Sequence, residues 1–344
     1  MSVIEVNQLQ KKFRTAVRRE GRFGTLVSLV NPLHREVIAV NDIHFTIERG
    51  ESVAYLGPNG AGKSTTIKML TGILVPSGGE IRVNGVVPYQ DRKRNSYQIG
   101  VVFGQRSQLL YDLPVQDSFQ LLRHMYSIPL ARYNENLTKF AALLEIEPLL
   151  GRPVRTLSLG QRMRCEILAA LLHEPELLFL DEPTIGLDVV AKERIRNFIE
   201  TINRERGVTV LLTTHDLGDI ERLCQRVIII DKGSLIYDGS LQLIKDKFAT
   251  ERQIRLMMSD PAAALALAAE LRANAGLALE VTEQNVLITY NQHRIDTADL
   301  LRLLLTSAKP RDLTMNDETI EALIRRIYQE GVGDLQSRSN AANM

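Results

Sequence analysis

Residues 57–65 read Gly-Pro-Asn-Gly-Ala-Gly-Lys-Ser-Thr, which sets three glycines, one lysine and two hydroxyls at the spacing of a loop that cradles phosphate. Gly57, Gly60 and Gly62 let backbone amides, with those of Asn59 and Ala61, turn inward where a Cβ would block the approach. Lys63 adds a cation between the β- and γ-phosphates, and the Ser64 hydroxyl suits Mg²⁺. Thr65 opens a helix whose N-terminal amides and dipole point at the same anion. A second chemical feature lies downstream, where the apolar run Leu177-Leu178-Phe179-Leu180 ends in Asp181-Glu182-Pro183. Two carboxylates at the end of a buried strand sit at the sheet edge where α/β proteins expose functional groups. Asp181 is placed to organise Mg²⁺, or on its own to cap the next helix, and Glu182 to orient or deprotonate an attacking water.

The elements that must position these groups follow from the pattern of apolar residues. A strand at residues 51–56 precedes the glycine loop and a helix at 65–71 follows it. Strands are expected at 3–11 and 37–48, an antiparallel pair at 79–87, a strand at 99–103, a mainly helical region from about 115 to 150, and buried strands at 177–180, 208–213 and 226–231. Short apolar runs alternating with helices predict a parallel sheet covered on both faces. Residues 12–36 interrupt the first two strands. Their first part carries Lys12, Arg14, Arg18, Arg19 and Arg22 against Glu20 alone, and residues 23–33 place Leu26, Leu29 and Val30 at near-helical spacing. That stretch reads either as an amphipathic helix against a membrane surface or partner helix, or as a loop insertion packed on the domain.

The 344 residues, 44% of them hydrophobic, are enough for one large domain and a smaller one. A net charge of +1 gives no bulk drive toward nucleic acid or an anionic membrane, so no nucleic-acid partner is expected. Cys165 and Cys224 lie in different segments without metal-ligand spacing, which predicts two buried thiols rather than a disulfide or a metal site. Neither a charged-then-apolar leader nor a run of eighteen apolar residues is present, so the expected chain has no membrane span of its own.

The whole set, in order, resembles the nucleotide-binding domain of an ATP-binding-cassette (ABC) ATPase over about residues 1–248. Besides the loop and the Asp181-Glu182 pair it contains Gln105 in Val-Val-Phe-Gly-Gln, Leu157-Ser158-Leu159-Gly160-Gln161 before a helix, Thr184-Ile185-Gly186-Leu187-Asp188, and Thr213-Thr214-His215-Asp216. The resemblance implies an α/β fold with an antiparallel β subdomain and a helical subdomain at about 106–172, and ATP with Mg²⁺ as cofactors. It implies that Gln105 reaches Mg²⁺ and the attacking water, and that His215 contacts the γ-phosphate. Ser158, Gly160 and Gln161 would meet the γ-phosphate held by a second copy, Asp188 would report across that interface, and Phe13 would stack on adenine or, as the end of a strand, belong to the core. The partners so implied are a head-to-tail, ATP-dependent homodimer and a separate transmembrane permease that grips residues 106–126, with the chain peripheral on the cytoplasmic side of the inner membrane. The basic insertion at 14–36 and the Gly-Leu-Asp after Pro183-Thr184 look like a subgroup of bacterial export ATPases. The rival is a soluble ABC ATPase acting on ribosomes or nucleic acid, a class with two cassettes or a long coiled-coil insertion, neither of which occurs here. Leu159 departs from the family's usual glycine, which narrows the backbone angles open to it.

Residues 249–330 carry no nucleotide motif. Their order, strand 253–258, helix 261–274, strands 278–283 and 285–290, helix 296–307, strand 312–315 and helix 318–328, predicts a small α+β, ferredoxin-like domain for dimerisation or regulation. The polar tail at 331–344 is expected to be disordered.

Overall fold

In the computed structural model the described residues are 1–17, 33–104, 107–248, 251–272, 277–292, 294–317, 323–324 and 326–327. The chain divides into two compact units, Met1–Gly239 and Ser240–Met344. The elements of the first run β1 (Ser2–Val17), β2 (Leu33–Glu48), β3 (Ser52–Leu56), α1 (Lys63–Leu70), β4 (Gly78–Val83), α2 (Arg92–Gln98), β5 (Ile99–Phe103), α3 (Val115–Met125), α4 (Leu130–Leu144), α5 (Leu159–Leu171), β6 (Leu177–Asp181), α6 (Val189–Arg206), β7 (Thr209–Thr213), α7 (Leu217–Leu223), β8 (Arg226–Asp231) and β9 (Ser234–Ser240). A six-stranded sheet has the order β5-β6-β7-β3-β8-β9. The neighbours from β5 to β8 are parallel. Every residue of β3 and β7 is buried, as is Leu177–Leu180 of β6, which is why these strands read as unbroken apolar runs. Because β3, β6 and β7 run parallel, the loops that leave their C-terminal ends converge on one edge.

A second, antiparallel sheet has the order β2-β1-β4. Its first two strands are longer than the expected 3–11 and 37–48. The β1–β2 ladder continues through Phe13↔Val37 and Arg14↔Glu36 to Val17↔Leu33. Alternating strand formers carry it outward, and the Arg14 Nε–Glu36 Oε1 pair at 3.2 Å joins the exposed arms. The helical spacing at 23–33 falls outside the described residues except for Leu33, which is in β2. The expected pair at 79–87 is also different: β4 pairs with β1, and the return arm contributes a single bridge, Val83↔Val86. Asn84 and Gly85 close that turn with φ of 47° and 73°, the left-handed pair that Asn-Gly supplies in a two-residue hairpin.

The second unit holds α8 (Leu241–Phe248), β10 (Glu251–Met257), α9 (Pro261–Leu271), β11 (Leu277–Thr282), β12 (Asn285–Asn291), α10 (Thr297–Ser307) and β13 (Asp312–Asp317). Its antiparallel sheet has the order β11-β12-β10-β13. Ile254, Leu256, Val286, Ile288 and Tyr290 cover one face together with Leu267 and Leu271 of α9 and Leu300 and Leu304 of α10. Both helices begin on an aspartate cap, Asp260 and Asp296, each accepting backbone amides of the first turn. Of the expected helix at 318–328, residues 323, 324, 326 and 327 are described and helical, and the tail at 331–344 lies outside the described residues. Among the described residues no helix is long and apolar enough to cross a membrane.

Where α5 leads back toward the sheet, His173 is buried neutral. Its Nε2–H donates to the Ile99 carbonyl at 3.0 Å, and its ring stacks on Tyr126 with centroids 4.0 Å apart and planes 8° apart. Tyr97 meets Tyr126 edge-on at 5.5 Å. Burial drives the imidazole pKa from 6.5 down to about 4, the Ile99 bond opposing it only partly. The unfolded chain therefore takes up this proton first, so stability present above pH 6.5 drains as pH falls toward 4. At about 1.4 kcal/mol per unit the loss is on the order of 3 kcal/mol. Denaturant titrations between pH 7 and pH 4 are expected to show this slope in the parent and a flatter one in His173→Gln.

Candidate functional site

A cleft of about 820 Å³ opens at the edge where those loops meet, and its lining includes Phe13, Asn59, Gly60, Gly62, Lys63, Ser64, Thr65, Asp181, Glu182 and His215. The loop after β3 is held by its own turns: the Ala61 amide donates to the Pro58 carbonyl at 3.1 Å, and the Gly233 amide to Ala61 at 3.0 Å. Gly57 and Ala61 are buried behind the loop rather than lining the cleft. Gly62 caps α1 with φ of 108°, and a Cβ there would lie 2.4 Å from the Ala39 carbonyl oxygen, so only glycine fits. Lys63 is 9% exposed and its ammonium donates to the Gly57 carbonyl and, at 3.3 Å, to that of Pro58. Burial lowers its pKa, while the facing Glu182 and Asp181 pull it upward.

The two carboxylates are held differently. Asp181 ends β6 and accepts the Thr213 hydroxyl on Oδ1 at 2.6 Å, which orients the group and leaves Oδ2 without that donor. Glu182 adopts φ of 56°, a left-handed angle unusual for a residue with a side chain. Its amide donates to the Thr213 carbonyl at 2.9 Å, which fixes the bend. The bend turns its carboxylate toward His215, with Oε1 3.1 Å from Nε2. Burial raises the Glu182 pKa, opposed by His215 and Lys63 and reinforced by Asp181. A partly buried carboxylate with raised basicity beside an imidazole is suited to taking a proton from water.

Behind this pair stands a group that the sequence reading passed over. Asp219 of α7 is fully buried; its Oδ2 accepts the hydroxyls of Thr184 and Thr214, and its Oδ1 accepts Arg196 Nε at 2.7 Å. Thr184 follows Glu182 by two residues and Thr214 precedes His215, so one carboxylate ties both loops to α6. Arg196 also donates to Asp216 at 2.8 Å, and Lys192 pairs with the same carboxylate. The available signal was Lys192 and Arg196 four apart on one helix face, with Asp216 and Asp219 in the motif that follows β7.

Phe13 is 37% exposed at the far end of the cleft, within the β1–β2 ladder rather than the core, and Lys11 Nζ lies 5.2 Å from its ring centroid. Gln105 lies outside the described residues, between Gly104 and Ser107. Ser158, Gly160, Gln161 and Asp188 do not line the cleft with the others. They sit at helix starts. Ser158 and Gln161 form a capping box on α5, with bonds of 3.2 and 3.0 Å, and Asp188 caps α6 by accepting the Ala191 amide at 2.8 Å. A Cβ on Gly160 would lie 3.0 Å from that of Ala191, a tight contact that would make the two helix starts give by a few tenths of an ångström. Leu159 begins α5 and takes no left-handed angle, so leucine is conformationally at ease there.

The profile of the ABC transporter family matches residues 40–185. The chain is 32% identical over 223 residues to the ABC transporter ATP-binding protein NatA of Bacillus subtilis, covering 65% of this chain and 90% of that protein. The chain belongs to the ABC transporter ATP-binding proteins. It is 35% identical over 223 residues to the linearmycin resistance ATP-binding protein LnrL of Bacillus subtilis, across 64% of this chain and 70% of that one. A solved ATP-binding subunit of an ABC transporter superposes with a TM-score of 0.60 and 28% identity, over 72% of this chain and 93% of the other. This ABC protein is accordingly an ATPase.

Because Asp219 is fully buried with one cation and two hydroxyls on it, truncating it leaves the Thr184 and Thr214 hydroxyls without their acceptor, while Arg196 keeps Asp216 and Glu193. Asp219→Ala is expected to lower the unfolding free energy by about 1–3 kcal/mol, read by denaturant titration.

Proposed function

We propose that this ABC ATPase hydrolyses ATP as a head-to-tail pair of copies to drive export through a separate transmembrane permease, working from the cytoplasmic face of the inner membrane. The observation that carries the reading is the meeting of Lys63, Asp181, Glu182 and His215 in one cleft, while Ser158, Gly160, Gln161 and Asp188 present themselves elsewhere. A site split in this way is completed by a second chain. Exposed apolar residues surround the second set: Leu159 at 41%, Ile185 at 55%, Val190 at 59% and Val189 at 76%. Apolar exposure of this kind marks a contact surface. A solved cassette described as bound to ADP and phosphate is dimeric, and it shares this fold with a TM-score of 0.58 at 24% identity.

Within the cleft, the amides of residues 59–65 and the start of α1 bind the phosphates, and Lys63 neutralises them. Ser64 and Asp181 are the donors that fit Mg²⁺, a hard cation that takes hydroxyl and carboxylate oxygens. When bound, it would offset charge developing on the transferred phosphoryl group. Glu182 accepts the proton of the attacking water, His215 holds Glu182 and faces the terminal phosphate, and Phe13 offers a face to the base. Gln105, by its place after Gly104, joins the metal and the water in this reading. No covalent intermediate is required, because placement and charge carry phosphoryl transfer.

The permease contact falls on residues 106–126 and their surroundings, where Tyr111, Leu113, Leu121 and Met125 are exposed at 59, 44, 44 and 60%. Export is supported by relatives that include a linearmycin resistance protein and the Nod factor export ATP-binding protein I of Ralstonia nicotianae, the latter 34% identical over 208 residues. The second unit, read as a ferredoxin-like domain from its strand order, serves dimerisation or regulation. In this reading the nucleotide-binding domain extends to about residue 248 and so takes in α8, beyond the compact unit Met1–Gly239, and the long β1–β2 arms lead into the basic insertion.

The experiment is Glu182→Gln, which keeps shape and removes the base. ATP affinity is expected to hold within a few-fold, turnover to fall by about 10²–10⁴, and ATP to convert the protein to a dimer on size-exclusion chromatography. Parental turnover in this variant overturns the assignment.

A further inference from the structure

Glu166 is a buried carboxylate that no part of the hydrolytic chemistry uses. It lies midway along α5, 5% exposed. The Ser107 hydroxyl donates to its Oε1 and the Gln108 amide donates to Oε2 at 3.1 Å. The Gln108 side chain then donates from Nε2 to the Glu166 backbone carbonyl, also at 3.1 Å. Three bonds from two consecutive residues thus clasp the segment after Gly104 onto the middle of α5. Burial raises the Glu166 pKa, and the donors from Ser107, Gln108 and Leu109, with Arg162 nearby, act against that rise.

The clasp adds polar bonds to a helix that already packs against β5 and α3. Upstream, Gly104 lines the cleft and its amide donates to the Asp181 carbonyl at 3.0 Å, so this end is fixed to β6. Downstream, the Leu110 amide donates to the buried Ser118 hydroxyl of α3 at 2.9 Å. Only two residues lie between Gly104 and Ser107, so the clasp on α5 and the phosphate end of the cleft are tied by a short length of chain.

We propose that Glu166 is a positioning residue for ATP hydrolysis: by clasping Ser107 and Gln108 to α5, it sets the helix that carries Ser158 at its tip in register with the phosphate end of the cleft and with α3. The proposal rests on the two-copy reading above, in which the α5 tip completes the site of the other copy. A carboxylate suits the task because both oxygens accept, one facing a hydroxyl and one an amide. Methionine, of similar length, offers neither oxygen and removes both bonds, whereas glutamine can keep them by accepting the Gln108 amide and donating to the Ser107 hydroxyl.

The test uses the full chain with Glu166→Met and Ser107→Ala, each alone and with Glu182→Gln, and measures kcat, KM, ATP affinity, thermal midpoint and ATP-driven dimer formation. Glu166→Met is expected to lower kcat about tenfold with ATP affinity within twofold of the parent. In the Glu182→Gln background it is expected to raise the ATP concentration needed for dimerisation about tenfold. Ser107→Ala is expected to fall between, and it decides the matter if Glu166→Met melts too low to assay. A residue that merely held the fold would lower the thermal midpoint without separating kcat from ATP affinity. If Glu182→Gln dimerises with ATP and neither variant shifts dimerisation or kcat by more than twofold, the clasp is overturned alone. If Glu182→Gln stays monomeric with ATP, the two-copy reading fails and the proposal goes with it.

Discussion

The buried ammonium of Lys63 faces two carboxylates, Asp181 and Glu182, at the edge of a parallel sheet, and the rest of the nucleotide-binding unit is arranged around keeping that set in place. Desolvation works against Lys63 and Glu182. It lowers the pKa of Lys63 and raises that of Glu182, so each is stabilised in its charged form only by the others and by the hydrogen bonds that surround them. Placing such a set requires a scaffold that does not yield. The fully buried strands β3, β6 and β7 provide one, since close-packed interiors resist small displacements and pass strain on instead of absorbing it.

Two further buried carboxylates extend that rigidity outward, and they do so differently. Asp219 pairs with a cation and two hydroxyls, so its charge is compensated locally and it binds the Glu182 and His215 loops to α6. Glu166 takes only neutral donors, and its place on α5 makes it a link between segments rather than a brace within one loop cluster. The first arrangement stabilises geometry. The second suits a joint that must follow a moving helix, because no partner cation locks the Glu166 carboxylate in place as Arg196 does that of Asp219. The aromatic stack of Tyr97, Tyr126 and His173 lies near the same joint, at the end of α3, and contributes apolar contact with no charge to desolvate.

The site was legible in the sequence where chemistry and local order coincide. The glycine loop, the carboxylates that end an apolar strand and the His215 motif each lie at a strand end, so a linear pattern already specifies their place at the sheet edge. Gly62 could be anticipated, although the reason that matters most, the Ala39 carbonyl 2.4 Å from where a Cβ would be, is a tertiary contact. What stayed hidden was long-range pairing. Asp219 reads as an ordinary acid in a helix's first turn, and Glu166 as a polar interruption of the run Met163–Leu172. Their partners lie 35 and 59 residues away, at Thr184 and Ser107. The length of β1 and β2 was missed for a related reason: the charges at Arg14 and Glu36 look like surface breaks until each is seen opposite the other.

Leu159 shows how a departure from a family pattern is judged once its surroundings are known. The sequence places a bulky residue where glycine is usual, which suggests backbone strain. At the first position of α5, however, the backbone takes no left-handed angle, so glycine's conformational freedom is not in use. The closer packing is at Gly160, where a Cβ would come within 3.0 Å of that of Ala191 at the start of α6. Leu159 instead extends its side chain beside Gly186, its Cδ2 3.3 Å from where a Cβ on that glycine would lie, and joins Ile185, Val189 and Val190 in an exposed apolar rim. In the proposed two-copy arrangement leucine adds apolar surface at the contact, so burial of that area would join the phosphate contacts in closing it.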